Sequence, residues 1–176
     1  MSIERILWEE DATGLAALVR KGELSAVELT EAAITRAERV NPQINAVVER
    51  LHDRARAMAK SVDLTAPFAG VPFAVKDLDI RMKGVPSHSG SRVTALVPDE
   101  NAVLADRHQA AGLIPIVTAT TPEYGLRLVT ESKAFGITRN PWNTGHVTGG
   151  SSGGPAALVA AGVVPMAHAG DGGGSI

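Results

Sequence analysis

The sequence predicts an α/β protein in which a partial mixed β-sheet is flanked by helices. Helical periodicity fills the first 60 residues, and beyond residue 64 short apolar runs alternate with helical stretches. With 176 residues, 44% of them apolar and 20% charged, the chain can bury a sizeable core.

Leu15, Ala16, Leu18 and Val19 recur at helical spacing ahead of Gly22, which predicts a helix over roughly 11–21. Ser25-Ala26-Val27-Glu28 reads as a capping box that opens a second helix, with Leu29, Ala33, Ile34 and Ala37 on its apolar face. Asn41-Pro42 is expected to end it, because the residue before proline is biased away from helical backbone. A third helix around 53–60 alternates charges with alanines, the pattern of a solvated face, and carries no functional assignment. Further on, 71–75, 113–117 and 163–167 read as buried strands, with helices over 101–111 and 155–161 between them. These elements divide the chain into an N-terminal helical segment, 1–62, and an α/β core, 63–176, expected to be incomplete at its C-terminus.

Composition excludes several classes of function. Seventeen basic against nineteen acidic residues give a net charge of −2, and no local patch suggests binding to nucleic acid or an anionic membrane. The absence of cysteine rules out a disulfide scaffold, a thiolate metal site and a cysteine nucleophile. The nearly uncharged stretch 147–167 has only 13 consecutive residues of apolar character, from Pro155 onward, whereas a membrane span needs roughly 20. Met1-Ser2-Ile3-Glu4-Arg5 lacks the basic and apolar regions of a secretory signal, so a cytoplasmic location is expected.

Residues 141–176 hold 10 of the 18 glycines and one formally charged residue, Asp171. Two clusters stand out there: Gly149-Gly150-Ser151-Ser152-Gly153-Gly154 and Gly170-Asp171-Gly172-Gly173-Gly174-Ser175. Gly/Ser runs are usually flexible linkers, but these flank an apolar helix–strand pair where a linker would be out of place. Neither is a P-loop, since no lysine or arginine follows to neutralise phosphates. Gly149-Gly150-Ser151-Ser152-Gly153 fits the letters of a hydrolase nucleophile elbow, yet Asn140-Pro141-Trp142-Asn143-Thr144-Gly145-His146 before it reads as a loop rather than a strand. The last histidine, His168, also precedes Asp171, the wrong order for that triad. A serine nucleophile without a usable histidine needs another base, and a lysine kept neutral by burial can serve. Lys76 ends the run Val71-Pro72-Phe73-Ala74-Val75, where a buried strand would deliver it to the interior. Taken alone, a strand-end lysine is more often a solvated charge, or paired here with Asp77 or Asp79.

The order of Gly70-Val71-Pro72-Phe73-Ala74-Val75-Lys76-Asp77, Gly149 to Gly154 and Asp171-Gly172-Gly173-Gly174-Ser175-Ile176 resembles the amidase signature family. Thr121-Pro122-Glu123-Tyr124-Gly125 and Asn140-Pro141-Trp142-Asn143 also look like family segments. The resemblance covers essentially the whole chain but only the N-terminal portion of a full-length member. It implies an amidase that hydrolyses a linear carboxylic amide through a serine acyl-enzyme. Ser175 would be the nucleophile, Ser151 the bridging serine entered by a cis peptide bond, and Lys76 the terminal base. Backbone N–H groups along Gly172, Gly173, Gly174 and Ser175 would hold the oxyanion, and losing one such donor typically costs about 2.7–4 kcal/mol of transition-state stabilisation. Ser152 and Asp171 would be supporting hydrogen-bond groups.

No metal or organic cofactor is implied. The implied partner is a small-molecule amide, with a homodimer possible. Departures from the family pattern are Val117-Thr118-Ala119-Thr120 ahead of Thr121, and His146 at a position often taken by arginine. Two alternatives accompany this reading: an inactive truncated fragment that keeps the motifs, and a glutamine-hydrolysing, A-type component of an amidotransferase. The latter ranks lower because the Asp171-Gly172-Gly173-Gly174-Ser175 variant looks more like general amidases.

Overall fold

The computed structural model describes residues 2–93 and 95–176. Met1, the first residue of the stretch read for an export signal, lies outside the described residues. Helix α1 (Ile3–Glu9) is capped by Ser2, whose hydroxyl accepts the Arg5 N–H. Its seven residues are too few for a periodic signal. It is held against the next long helix by Arg39, whose two terminal nitrogens donate to the Glu4 carboxylate at 3.0 and 2.7 Å. Helix α2 (Ala12–Lys21) starts on the Asp11 side chain and stops at Gly22, which takes the left-handed conformation.

Helix α3 (Ala26–Ile44) opens on the expected capping box: Ser25 Oγ accepts the Glu28 N–H while Glu28 accepts the Ser25 N–H. It runs past Asn41-Pro42 to Ile44. The Asn41 side chain explains the extra turn, because its Oδ1 accepts the N–H groups of Ala46 and Val47, and Asn45 closes the helix in the left-handed region. Strand β1 (Val47–Arg50) follows directly, then helix α4 (His52–Lys60).

The central sheet has the order β1-β3-β2. Strand β2 (Pro72–Lys76) lies parallel to β3 (Ile114–Ala119), and β1 lies antiparallel to β3, so the sheet is mixed. Every residue of β2 and β3 is buried, as expected of strands that read as continuous apolar runs. The register slips between Phe73 and Ala74, opposite Pro115, whose missing N–H cannot join the ladder. Helix α5 (Val103–Ala110) makes the crossover between these strands. One apolar cluster joins α2, α3 and the sheet to α6 (Gly153–Ala160), through Leu15, Leu29, Phe73, Ile116 and Leu158 among others.

Two further expectations are corrected. The 163–167 segment is not a strand: it meets β2 only at a single bridge between Ala167 and Ala74, with the His168 N–H on the Ala74 carbonyl. Gly162 in the left-handed region and Pro165 without an N–H keep the rest out of a ladder. The loop expected at 140–146 is instead a small exposed ribbon, β6 (Arg139–Asn140) against β7 (Asn143–Val147), turning on Pro141 and Trp142. A still shorter ribbon precedes it, β4 (Glu131–Ser132) with β5 (Gly136–Ile137). No helix among the described residues is long and apolar enough to cross a membrane.

Leu29 is 0% exposed at the centre of the α3 face. In denaturant unfolding, Leu29→Ala should lower stability by about 2–5 kcal/mol and Ser25→Ala by about 1 kcal/mol. A Leu29→Ala effect no larger than the cap's would contradict this packing.

Candidate active site

Strand β2 carries Lys76 inward: its side chain is 1% exposed, and no carboxylate lies within ion-pairing distance among the described residues. The amine instead meets Ser151 Oγ at 2.8 Å, Ser152 Oγ at 3.0 Å and the Gly170 carbonyl at 3.3 Å. Removal from water pushes the Lys76 pKa down from the ordinary lysine value, and the charges of Asp79 and Asp171 oppose that only in part. Asp77, next along the chain, turns away and accepts the His88 N–H with both carboxylate oxygens, at 3.0 and 3.2 Å. The ion pair with Asp77 or Asp79 that a strand-end lysine would ordinarily form is therefore absent among the described residues.

The first Gly/Ser cluster is a packed loop that leads into α6. The Gly150–Ser151 peptide bond is cis. Buried threonines fix the loop: Thr130 Oγ1 donates to the Gly149 carbonyl at 2.9 Å and accepts the Gly153 N–H at 3.1 Å, and Thr121 Oγ1 donates to the Ser151 carbonyl at 3.3 Å. Thr120 and Thr138 share a hydrogen bond of 2.6 Å behind them. A Cβ on Gly153 would collide with the hydroxyls of Thr130 and Thr148, and one on Gly154 with the Thr120 backbone. These glycines are required by close approach, not by an anion. Sequence patterns did not single out the threonines, although Thr118, Thr120 and Thr121 sit in one short run that could have signalled a hydroxyl-lined layer.

Ser175 approaches from the second cluster. Its Oγ donates to the Gly170 carbonyl and lies 3.2 Å from Ser152 Oγ, while its own carbonyl accepts the Ser152 N–H at 3.2 Å. Ser175 and Ser151 are not hydrogen-bonded to each other; among the described residues Ser175 is joined to Lys76 through Ser152 and through the Gly170 carbonyl. The Gly170 carbonyl, which no sequence motif marks, accepts from Lys76, Ser152 and Ser175 together. Around these groups lies a cavity of about 510 Å³, with Leu78, Asp79, Tyr124, Gly125 and Arg127 in its walls. His168 takes no part in this network. Burial, with His108 beside it, lowers its pKa to about 4, so the ring is neutral near pH 7.

Gly172, Gly173 and Gly174 are exposed, the first two in the wall of this cavity, and their N–H groups are partly spoken for. Asp171 Oδ1 accepts from Gly173 and Gly174, and Oδ2 accepts from Ile176 at 3.0 Å. These backbone donors, Gly174 first, hold the Asp171 pKa down to about 2. A carboxyl depressed in the folded state lends stability above its ordinary pKa and loses it as the pH falls through the folded value. Amide exchange at Gly173, Gly174 and Ile176 should therefore be slowed at neutral pH and accelerate as the pH falls from 4 toward 2. Exchange that ignores pH-dependent protonation of Asp171, once intrinsic rates are removed, would contradict the cradle.

Comparison with known proteins is consistent along the chain. The amidase family model matches residues 28–176. The 6-aminohexanoate-cyclic-dimer hydrolase of Pseudomonas sp. (strain NK87) is 44% identical over 173 residues, 97% of this chain and 34% of the relative. The A-type component of the glutamyl-tRNA(Gln) amidotransferase of Chloroflexus aggregans is 43% identical over 172 residues, 93% of this chain and 34% of the relative. A solved structure of 6-aminohexanoate cyclic dimer hydrolase superposes with a TM-score of 0.87 at 43% identity, covering 93% of this chain and 34% of that one. The chain spans about a third of the length of the relatives it matches. From the family match and these identities, the chain belongs to the amidase signature family.

Proposed function

We propose that this chain supplies the nucleophile, relay and base of an amide hydrolase: Ser175, Ser151 and Lys76. The observation that carries the proposal is the buried Lys76 amine within hydrogen-bonding distance of two serine hydroxyls and a carbonyl, with no counter-ion among the described residues. A neutral amine has two N–H donors and one lone pair. The Gly170 carbonyl can only accept, and Ser152 has its own acceptor in that carbonyl at 3.1 Å. Ser151 Oγ has no bonding partner among the described residues except Lys76, so its proton is the one that points at the lone pair.

The reaction follows from that polarity. Ser175 Oγ attacks the amide carbonyl carbon as its proton passes to Ser151 and the Ser151 proton passes to Lys76. For this the Ser175 hydroxyl must exchange its bond to the Gly170 carbonyl for one to Ser151. Ser151 then protonates the leaving amine, recharged from Lys76, as the C–N bond breaks and leaves an ester on Ser175. Water attacks that ester through the same relay and releases the acid. The N–H groups of Gly172 to Ser175 receive the oxyanion by loosening from Asp171, which orders the turn in the absence of substrate. Ser152 supports the network by holding Ser175 and the Gly170 carbonyl in place.

The substrate class is a small-molecule carboxylic amide. A relative named for a cyclic dimer and another named for a tRNA-dependent amidotransferase sit at similar identity, so an open-chain amide and a side-chain amide such as glutamine both belong in the panel. A fluorophosphonate probe should label Ser175, located by mass spectrometry. Lys76→Ala and Ser151→Ala should each slow labelling by about 10²–10⁴-fold, the usual contribution of general acid–base catalysis. Ser152→Ala should slow it less. No adduct at Ser175, as the inactive-fragment alternative requires, or labelling undiminished in Lys76→Ala, would overturn the proposal.

A further inference from the structure

Three residues beyond Lys76, Asp79 occupies the left-handed region at φ 56°, an uncommon conformation for a residue other than glycine. It is exposed, and its carboxylate has no hydrogen bond or ion pair among the described residues. It also stands close to the reacting groups: a Cβ placed on Gly170 would come 3.2 Å from Asp79 Oδ2, and the Gly170 carbonyl is the acceptor shared by Lys76, Ser152 and Ser175.

The other charges in the cavity wall are already engaged. Asp171 is wrapped by backbone N–H groups, Arg127 donates to Glu131 at 2.8 Å, and Lys76 is hydrogen-bonded within the serine network. Leu78 and Asp79 line a second, polar groove of about 910 Å³ that adjoins the catalytic cavity. Asp99 and Glu100 face that groove against a single cation among its described lining residues, Arg81, so the charge along it is negative. A ridge bearing one unspent carboxylate thus separates the serine site from an anionic groove.

We infer that Asp79 is a specificity-determining residue that anchors a cationic group of the substrate, an ammonium or guanidinium a short chain away from the amide to be cleaved. This rests on the amide-hydrolase reading for the identity of the ligand. Asp79 interacts with the far end of the substrate and is separate from the proton relay. Its left-handed turn follows β2 directly, and Asp79 and Lys76 line the same cavity.

Equilibrium binding tests the inference without requiring turnover. Protein-observed NMR titration would compare 5-aminopentanamide, with its shorter and longer homologues, against the uncharged alkyl amides of the same length. The amine-bearing series should bind at least about tenfold more tightly at low salt, the lower end expected for a charge-assisted hydrogen bond, and the advantage should shrink with added salt. Asp79→Asn should abolish the preference while leaving the fold intact, because asparagine also tolerates left-handed backbone, and Asp79→Glu should restore part of it. Equal affinities for both series, binding of neither, or a preference that survives Asp79→Asn would overturn the inference. If Asp79 only adjusted Lys76, its removal would shift the pH dependence of labelling equally for charged and neutral acylating probes and leave their ratio unchanged. A cation preference lost in Asp79→Asn, together with no adduct at Ser175, would instead remove the hydrolase reading and leave the anchoring site standing.

Discussion

Taking an ammonium ion out of water costs several kcal/mol even after the protein relaxes around it, and Lys76 is buried with no carboxylate in ion-pairing range among the described residues. Burial of this kind is met most cheaply by losing the proton. Strand β2 imposes it. All five of its residues are buried, its neighbour β3 is buried throughout, and helix α6 packs on both, so the side chain at the end of the strand is almost wholly withdrawn from solvent and borders only the cavity that holds the serines. Each further feature of the site answers to that buried amine: two hydroxyls and a carbonyl replace the water it gave up, and burial pulls its pKa below the ordinary lysine value.

The two glycine clusters serve different physical ends. In the first, missing side chains allow a loop to lie against threonine hydroxyls and the β3 end, so Ser151 and Ser152 are held by packing and by hydrogen bonds to backbone. In the second, the missing side chains leave a run of N–H groups free to converge on an anion, and Asp171 currently fills that role. Ser151 to Gly154 of the first cluster are buried, whereas Asp171 to Gly174 of the second are exposed. An N–H cradle that already holds a carboxylate has to release it before the same donors can receive another anion.

Much of this was legible in the sequence because it depends on local chemistry. The capping box at Ser25 and Glu28, the stop at Gly22 and the buried runs of β2 and β3 follow from adjacent residues. Lys76, Ser151 and Ser175 were candidates through the family resemblance carried by their order along the chain, and their roles remain the proposal. What was not legible depends on contacts distant in sequence. Whether Asn41-Pro42 ends α3 is decided by where the Asn41 side chain finds donors, at Ala46 and Val47. Whether 163–167 forms a strand depends on how much of the β2 edge it can pair with, and it makes one bridge. The Gly170 carbonyl is invisible to any reading of side chains. Asp79 looked like a possible partner for Lys76 until the backbone turned it toward the cavity wall.

The central claim concerns the protonation of a single amine, and heteronuclear NMR of ¹⁵N-labelled lysine reads it directly. The Lys76 signal would be assigned by its absence from Lys76→Met and followed with pH. The account predicts loss of the proton below the ordinary lysine value of 10.5, with the change sensed at the Ser151 amide. A Lys76 amine that titrates at or above 10.5, as a solvated or ion-paired lysine does, would contradict it.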